Sequence, residues 1–405
     1  MIALPGRGLP IIRYLIMTPA AEGLFDIRED LIKVTSYEVL GKLPDPFLSD
    51  SGKRLTSPGE WPERRKEIFR TAVELQYGTQ PPKPEVFSVD KTYSSSGARS
   101  YKITAGTKQK QVSFVMSIIQ PEKVKNQPIV VDGDLCWLYA FNVDYLDALR
   151  KRGIAFAFFN RTELAHDIQH EGRRKGTLYD VYPEYTFGAL GAWAWGYSRC
   201  VDALEIIGDY DLSWLAFTGH SRGAKTAMLA GVLDERAKIV NPNETNAGSC
   251  SCYRIHMTAI KENGTEFRSE RLADLWKNFG FWLGPEMEKY ALREQELPFD
   301  AHFLKAMVAP RVLLVGEAAS DIWTNPIGTW QTTTAAAEVF RWLGCEDRLL
   351  WYFRRGAHRH MPDDVGMLAE VICHFRNGEP LSDRYFRTPF PRPERIWDWR
   401  IPESR

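Results

Sequence analysis

The sequence predicts an α/β fold, a three-layer sandwich with a mostly parallel, twisted sheet at its centre. Three observations carry this. Residues 128–132, apolar up to the closing Asp132, and 153–159 are short apolar runs separated by a helical pattern at 139–152, as expected of parallel strands buried on both faces. A further apolar run ends in Gly219-His220-Ser221-Arg222-Gly223 and passes straight into Ala-, Met- and Leu-rich sequence with helical spacing. Two late strands are expected at 311–316 and 349–353, each followed by a helix, at 328–343 and 362–376.

In chain order, the stretch 1–17 is partly apolar but is broken by Pro5, Gly8, Pro10 and Arg13, and it lacks the clean apolar segment and small-residue site of a signal peptide. No apolar run approaches the length of a membrane span, so a soluble chain is expected. Residues 43–47 and 50–52 carry loop chemistry. Residues 60–77 place Trp61, Ile68, Phe69, Val73 and Leu75 on a helical period and stop at Gly78. The period then changes to two at 100–105 and 111–119, an antiparallel pair joined at 106–108. The charged stretch 160–186 reads as a surface excursion, and 187–207 as an apolar helix burying Leu190, Trp193, Ala194, Tyr197 and Val201. The strand before Ser221 and a helix to about residue 236 follow, then a strand at 237–240 with its loop 241–252. Residues 253–300 read as polar helices and loops.

Composition excludes several classes of partner. Lys+Arg and Asp+Glu are both 52 in 405 residues, so no global charge favours nucleic acid or an anionic membrane. Of six cysteines only Cys250 and Cys252 are close, and no histidine stands near them at zinc spacing; free thiols, no metal and no cofactor are expected. The thirteen Trp, sixteen Tyr and twenty-one Phe suit a large core first and sugar stacking second.

The strand, sharp turn and helix around Ser221 form a nucleophile elbow, the device that lifts a serine to the top of an α/β-hydrolase sheet. Gly219 and Gly223 are expected because side chains two residues either side of the serine would strike neighbouring backbone. A serine needs a base, and the base a carboxylate to orient it. In this fold they follow in the order Ser, acid, His, on loops at the carboxyl ends of strands. His358 and His360 follow the final strand. Glu244 follows the strand after the elbow helix, Asp321 follows 311–316, and Glu317 is a weaker third acid.

From about Leu43 to Asn377 the chain resembles the glucuronoyl esterases of carbohydrate esterase family 15. The matching stretches include Leu43-Pro-Asp-Pro-Phe47, Gly191-Ala-Trp-Ala-Trp-Gly196, Gly219-His-Ser-Arg-Gly-Ala-Lys225, Pro298-Phe-Asp300, Asp321-Ile-Trp323 and His358-Arg-His360. The resemblance implies an α/β-hydrolase fold without metal and cleavage of the ester between 4-O-methyl-glucuronic acid on xylan and lignin alcohols. It divides the chain into an N-terminal extension, 1–42, a single catalytic domain, 43–380, and a tail, 381–405. It makes Ser221 the nucleophile, Arg222 an oxyanion donor, Lys225, Trp323 and Glu270 sugar contacts, and His360 the base, with His358 the alternative. Glu244 stands where fungal members hold the acid and Asp321 where bacterial members do. His220 and Met361 occupy the positions of a disulfide in fungal members, which points to a bacterial-type enzyme and leaves His220 to pack beside the serine.

The resemblance further implies a monomer, secreted or periplasmic, acting on glucuronoxylan or a lignin-carbohydrate ester, with no nucleic acid and no membrane. Two other readings keep the same residues. One is an acetyl-xylan or cinnamoyl-type esterase, because fold and triad do not select the acyl group. The other is a carbohydrate-binding relative without activity, which the serine, two histidines and two acids argue against.

Overall fold

The computed structural model describes residues 12–16, 32–121, 125–137, 142–261 and 263–403. Residues 1–11, and the first residues of the helix expected at 139–152, lie outside the described residues. Thirteen strands are present among those described. They are β1 (Ile12–Ile16), β2 (Ile32–Val39), β3 (Val86–Ser94), β4 (Ala98–Gly106), β5 (Gln111–Ile119), β6 (Gln127–Asp132) and β7 (Ala155–Phe159), then β8 (Tyr210–His220), β9 (Ile239–Asn243), β10 (Ile255–Lys261), β11 (Glu266–Arg268), β12 (Val312–Ala318) and β13 (Leu349–Arg354). Nine form the central sheet, in the order β13-β12-β9-β8-β6-β7-β5-β4-β3. The neighbours from β13 to β7 pair in parallel, whereas β7-β5, β5-β4 and β4-β3 pair antiparallel.

The apolar runs become parallel strands because both their faces are covered. Along β6, Ile129 and Val131 join one hydrophobic cluster and Val130 the other; along β12, Leu313 and Val315 divide from Val312 and Leu314 in the same way. Successive side chains of a strand point to opposite faces, so an unbroken apolar run is what two-sided burial requires. One face carries helices Ala189–Ile207 and Arg222–Leu233, and the other carries Val143–Arg150 and Pro362–Asn377. Among the described residues no helix is long and apolar enough to cross a membrane.

Two departures from the sequence reading have local causes. β3 extends the meander past the expected pair, yet most of its residues face solvent, so it offers no apolar alternation. β10 and β11 lie inside 253–300, where helices and loops are expected. Ile255, Met257 and Ala259 alternate into the core there, and β10 pairs antiparallel with β2 in a second sheet ordered β1-β2-β10-β11. The segment preceding residue 43 therefore supplies two strands, β1 and β2, to this sheet. Past residue 380, Phe390, Trp397 and Trp399 are buried. Leu43 N–H donates to Ile396 O at 2.8 Å and Trp399 Nε1 to Leu43 O at 3.1 Å.

Candidate active site

Every sheet residue that builds the site stands at the carboxyl end of a parallel strand. Ser221 follows β8 with φ +57° and ψ −117°, the strained turn of an elbow, and helix Arg222–Leu233 starts on the next residue. The two glycines are required for different reasons. A Cβ on Gly219 would run into the backbone of Gly223, as expected, but a Cβ on Gly223 would collide with the Asp134 carboxylate. Asp134 is fully buried just past β6, where it accepts from the His220 backbone N–H at 3.1 Å and pairs with Arg161. The elbow is thus packed against a buried ion pair that the sequence reading missed. The available signal was a carboxylate at the end of a buried parallel strand.

Ser221 Oγ lies 2.9 Å from Nε2 of His358, and Nδ1 of His358 lies 2.6 Å from Oδ2 of Asp321. It is thus His358, and not the expected His360, that stands within hydrogen-bond reach of both the serine and a carboxylate. The His360 ring turns inward, stacked 5.2 Å from His220 at an interplanar angle of 7° and set edge-on to Tyr145 at 4.8 Å. Its burial lowers its proton affinity to a pKa of about 3, so it is neutral at physiological pH. His220 packs between the two, 4.6 Å from the ring of His358, and burial followed by the neighbouring histidines drives its pKa well below the usual imidazole value.

Both acids meet the same imidazole unequally. Glu244, 1% exposed, lies 3.6 Å from His358 Nδ1, and its oxygens are held by Arg354 and by the Arg359 backbone N–H at 3.0 Å. Burial raises the Glu244 carboxyl well above its ordinary range, with the Arg354 guanidinium working against that rise. Asp321, 4% exposed, holds the shorter contact. The loops carrying acid and base are joined by Ala319 N–H to Arg354 O and Ser320 N–H to Gly356 O, at 2.8 and 3.1 Å.

Glu317 stands apart from this group as a buried carboxyl accepting from Thr324 Oγ1 at 3.2 Å, and burial pushes it up to about 8. A folded pKa above the unfolded one means that the folded chain keeps a proton the unfolded chain has lost. The associated stability is present below the unfolded value and disappears as pH rises through about 8. Glu317→Gln should therefore gain thermal stability relative to the parent between pH 5 and pH 8. A melting-temperature difference that does not change across that range would show that Glu317 is ionised in the fold.

The remaining expected site residues are divided by burial. Arg222 donates to Asp167 Oδ1 at 3.1 Å, and its guanidinium lies over Trp282 at 4.9 Å, Phe279 at 5.2 Å and Trp137 at 5.5 Å. This aromatic setting, together with Trp282 Nε1 donating to Asp167 at 3.0 Å, was not foreseen. Trp323 follows Asp321 directly and is 43% exposed. Its carbonyl accepts from the Glu270 backbone N–H at 3.0 Å, which brings two expected sugar contacts together. Glu270 is buried, its Oε2 lacks a hydrogen-bond partner among the described residues, and burial raises its pKa to about 7 against the pull of Lys225.

Lys225, the third expected sugar contact, is enclosed by the fold. It is 2% exposed, and its Nζ donates to Asn246 Oδ1, to Ala247 O at 2.7 Å and to Thr245 Oγ1 at 3.4 Å. Those three bonds use the three donors of an ammonium group. Lys225 ties down the loop that begins at Glu244, and burial lowers its pKa to about 8.

Comparison with known proteins identifies the chain's relatives. Residues 103–344 match the family model described as glucuronyl esterase, fungi. The chain is 30% identical over 371 residues to 4-O-methyl-glucuronoyl methylesterase 1 of Wolfiporia cocos, covering 88% of this chain and 86% of that one. It is similar to a carbohydrate esterase family 15 glucuronoyl esterase from Caldicellulosiruptor kristjansonii, at TM-score 0.77 and 28% identity over 90% of this chain and 98% of that one. A glucuronoyl esterase variant from Sporotrichum thermophile, in complex with methyl 4-O-methyl-β-D-glucopyranuronate, matches at TM-score 0.68 and 25% identity over 84% of this chain and 89% of that one.

Proposed function

We propose that this chain, which belongs to the glucuronoyl esterase family and is a carboxylic ester hydrolase, cleaves esters of 4-O-methyl-glucuronic acid through an acyl-enzyme on Ser221. The observation that carries the reading is the unbroken line from Ser221 Oγ through His358 to Asp321, with links of 2.9 and 2.6 Å. Asp321 holds the Nδ1–H of His358, which leaves the Nε2 lone pair facing the serine. Nε2 takes the hydroxyl proton as Oγ bonds to the ester carbonyl carbon.

The oxyanion then needs donors already in place, because reorienting them during the reaction would cost energy. Asp167 and three aromatic rings hold the Arg222 guanidinium beside the nucleophile, and the helix starting at Arg222 adds backbone N–H groups and its positive dipole end. Collapse of the tetrahedral intermediate returns the proton from His358 to the departing alcohol. Water, deprotonated by the same imidazole, then releases the uronic acid and restores Ser221.

For the acyl group, the support is the naming of relatives for this ester, together with Trp323 and Glu270 beside the acid loop. The spare Oε2 of Glu270 is an acceptor suited to a sugar hydroxyl, and the exposed Trp323 ring to a sugar face. The natural target on this reading is the ester joining glucuronoxylan to lignin alcohols. Because that polymer lies outside cells, the reading includes a secreted or periplasmic location.

The test sets benzyl glucuronate beside acetylated xylan and p-nitrophenyl acetate, with Ser221→Ala as the blank. Selective hydrolysis of benzyl glucuronate that Ser221→Ala abolishes is expected. Turnover confined to the acetyl esters would keep the serine chemistry and overturn the uronate assignment.

A further inference from the structure

Behind the loop that carries His358 lies a cavity of about 880 Å³, within the size range of ligand sites, and none of Ser221, Arg222, Lys225, Glu270 or Trp323 lines it. It is lined by the end of β13, by residues of the loop that follows it, by the start of helix Pro362–Asn377 and by Arg384 and Arg387 of the tail. We propose that this cavity binds an acidic saccharide segment through free carboxylates, on the same polymer as the uronate ester that the reading above assigns to Ser221.

The charge of the lining selects the ligand class. Five arginines face the cavity against one carboxylate, Asp363. Arg354 is already engaged by Glu244 and Asp364. On the tail side the lining arginines are Arg384 and Arg387. Arg384 lies 3.4 Å from Asp363, and Arg387 lies 3.6 Å from Asp383, which stands outside the lining; all four of these side chains are well exposed. Solvent-exposed pairs of this kind are weak and exchange readily for another carboxylate. The 16-residue helix Pro362–Asn377 also begins at the cavity, adding the positive end of its dipole. Planar guanidinium forks suit carboxylates, and several around one cavity suit a ligand bearing more than one.

The tail is held in place to present these side chains. Between the two tail arginines, Tyr385 is buried with its hydroxyl donating to Met367 O at 2.8 Å. Phe386 has φ +62°, a costly conformation for an aromatic residue. Its N–H donates to Trp351 O at 2.9 Å, and its ring packs edge-on against Trp351 at 4.8 Å. This anchored turn holds Arg384 and Arg387 on the same cavity as the arginines of the His358 loop.

Tri-galacturonate, an oligomer of free uronates with no ester to cleave, is the probe, titrated by calorimetry at low ionic strength. Binding to the full chain should weaken by about tenfold or more in Arg384→Gln/Arg387→Gln and fade as salt is added. The kcat/KM of that variant for benzyl glucuronate should stay within about twofold of the parent, since neither arginine touches the triad. Equal affinity for parent and variant, or no binding by the parent at millimolar probe, overturns the proposal. Displacement of the probe by sulfate as readily as by a second uronate oligomer also overturns it, because the cavity would then read charge without the saccharide. Binding is measured without turnover, so a chain that binds the probe yet hydrolyses no glucuronate ester sinks the ester reading alone.

Discussion

Replacing His358 by alanine is expected to lower kcat by about 10⁵-fold or more, the scale of loss that follows removal of a triad base. His360→Ala is expected to cost far less. The difference follows from where two rings separated by one residue point: His358 Nε2 stands 2.9 Å from Ser221 Oγ, whereas His360 is stacked against His220 and Tyr145. A neutral ring buried at a pKa of about 3 is matched to packing, and a general base works best near the operating pH. Removing the His360 ring takes support from the stack that continues through His220 to His358, so the expected result is a modest fall in kcat with a lower melting temperature. Steady-state kinetics with benzyl glucuronate decide the matter. Loss in His360→Ala equal to that in His358→Ala, with melting temperature unchanged, would return the base to His360.

The second large effect separates the acids. Asp321→Asn should lower kcat by about 10³-fold, short of the 10⁴ that an isolated triad acid commands, because Glu244 lies close enough to orient the ring in part. Glu244→Gln should cost about tenfold in kcat, with most of its effect on stability, since among the described residues it leaves the Arg354 guanidinium with only Asp364 as a carboxylate partner. The contact lengths behind this ranking are 2.6 Å to Asp321 and 3.6 Å to Glu244. Relative to the parent, the double variant should lose more than the product of the two single losses, because each acid covers in part for the other. A Glu244→Gln loss as large as that of Asp321→Asn would reverse the assignment of roles.

These contrasts mark how far the residues could be read without coordinates. The parallel strands were legible because two-sided burial writes itself into consecutive apolar residues, as in Ile129–Val130–Val131, and the elbow was legible because strand, turn and helix are contiguous. β10 carried an alternation of its own, but its partner β2 lies some two hundred residues earlier, and pairing over that distance has no local trace. β3 was hidden by its exposure.

By itself the sequence determined the serine at the strand-to-helix turn, the two glycines beside it, the two histidines and two acids placed to reach it, and the family they belong to, since each rests on residue type and near-neighbour spacing. Only the tertiary structure decided which histidine faces the serine and which acid faces the histidine. It also showed that Gly223 makes room for Asp134, and that Lys225 spends its donors on the 245–247 loop. The physical reason is that these outcomes are distances between separate loops. Loop orientation is set by what each loop packs against, here a ring stack, a buried arginine and a second strand end, and none of those neighbours is adjacent in the chain.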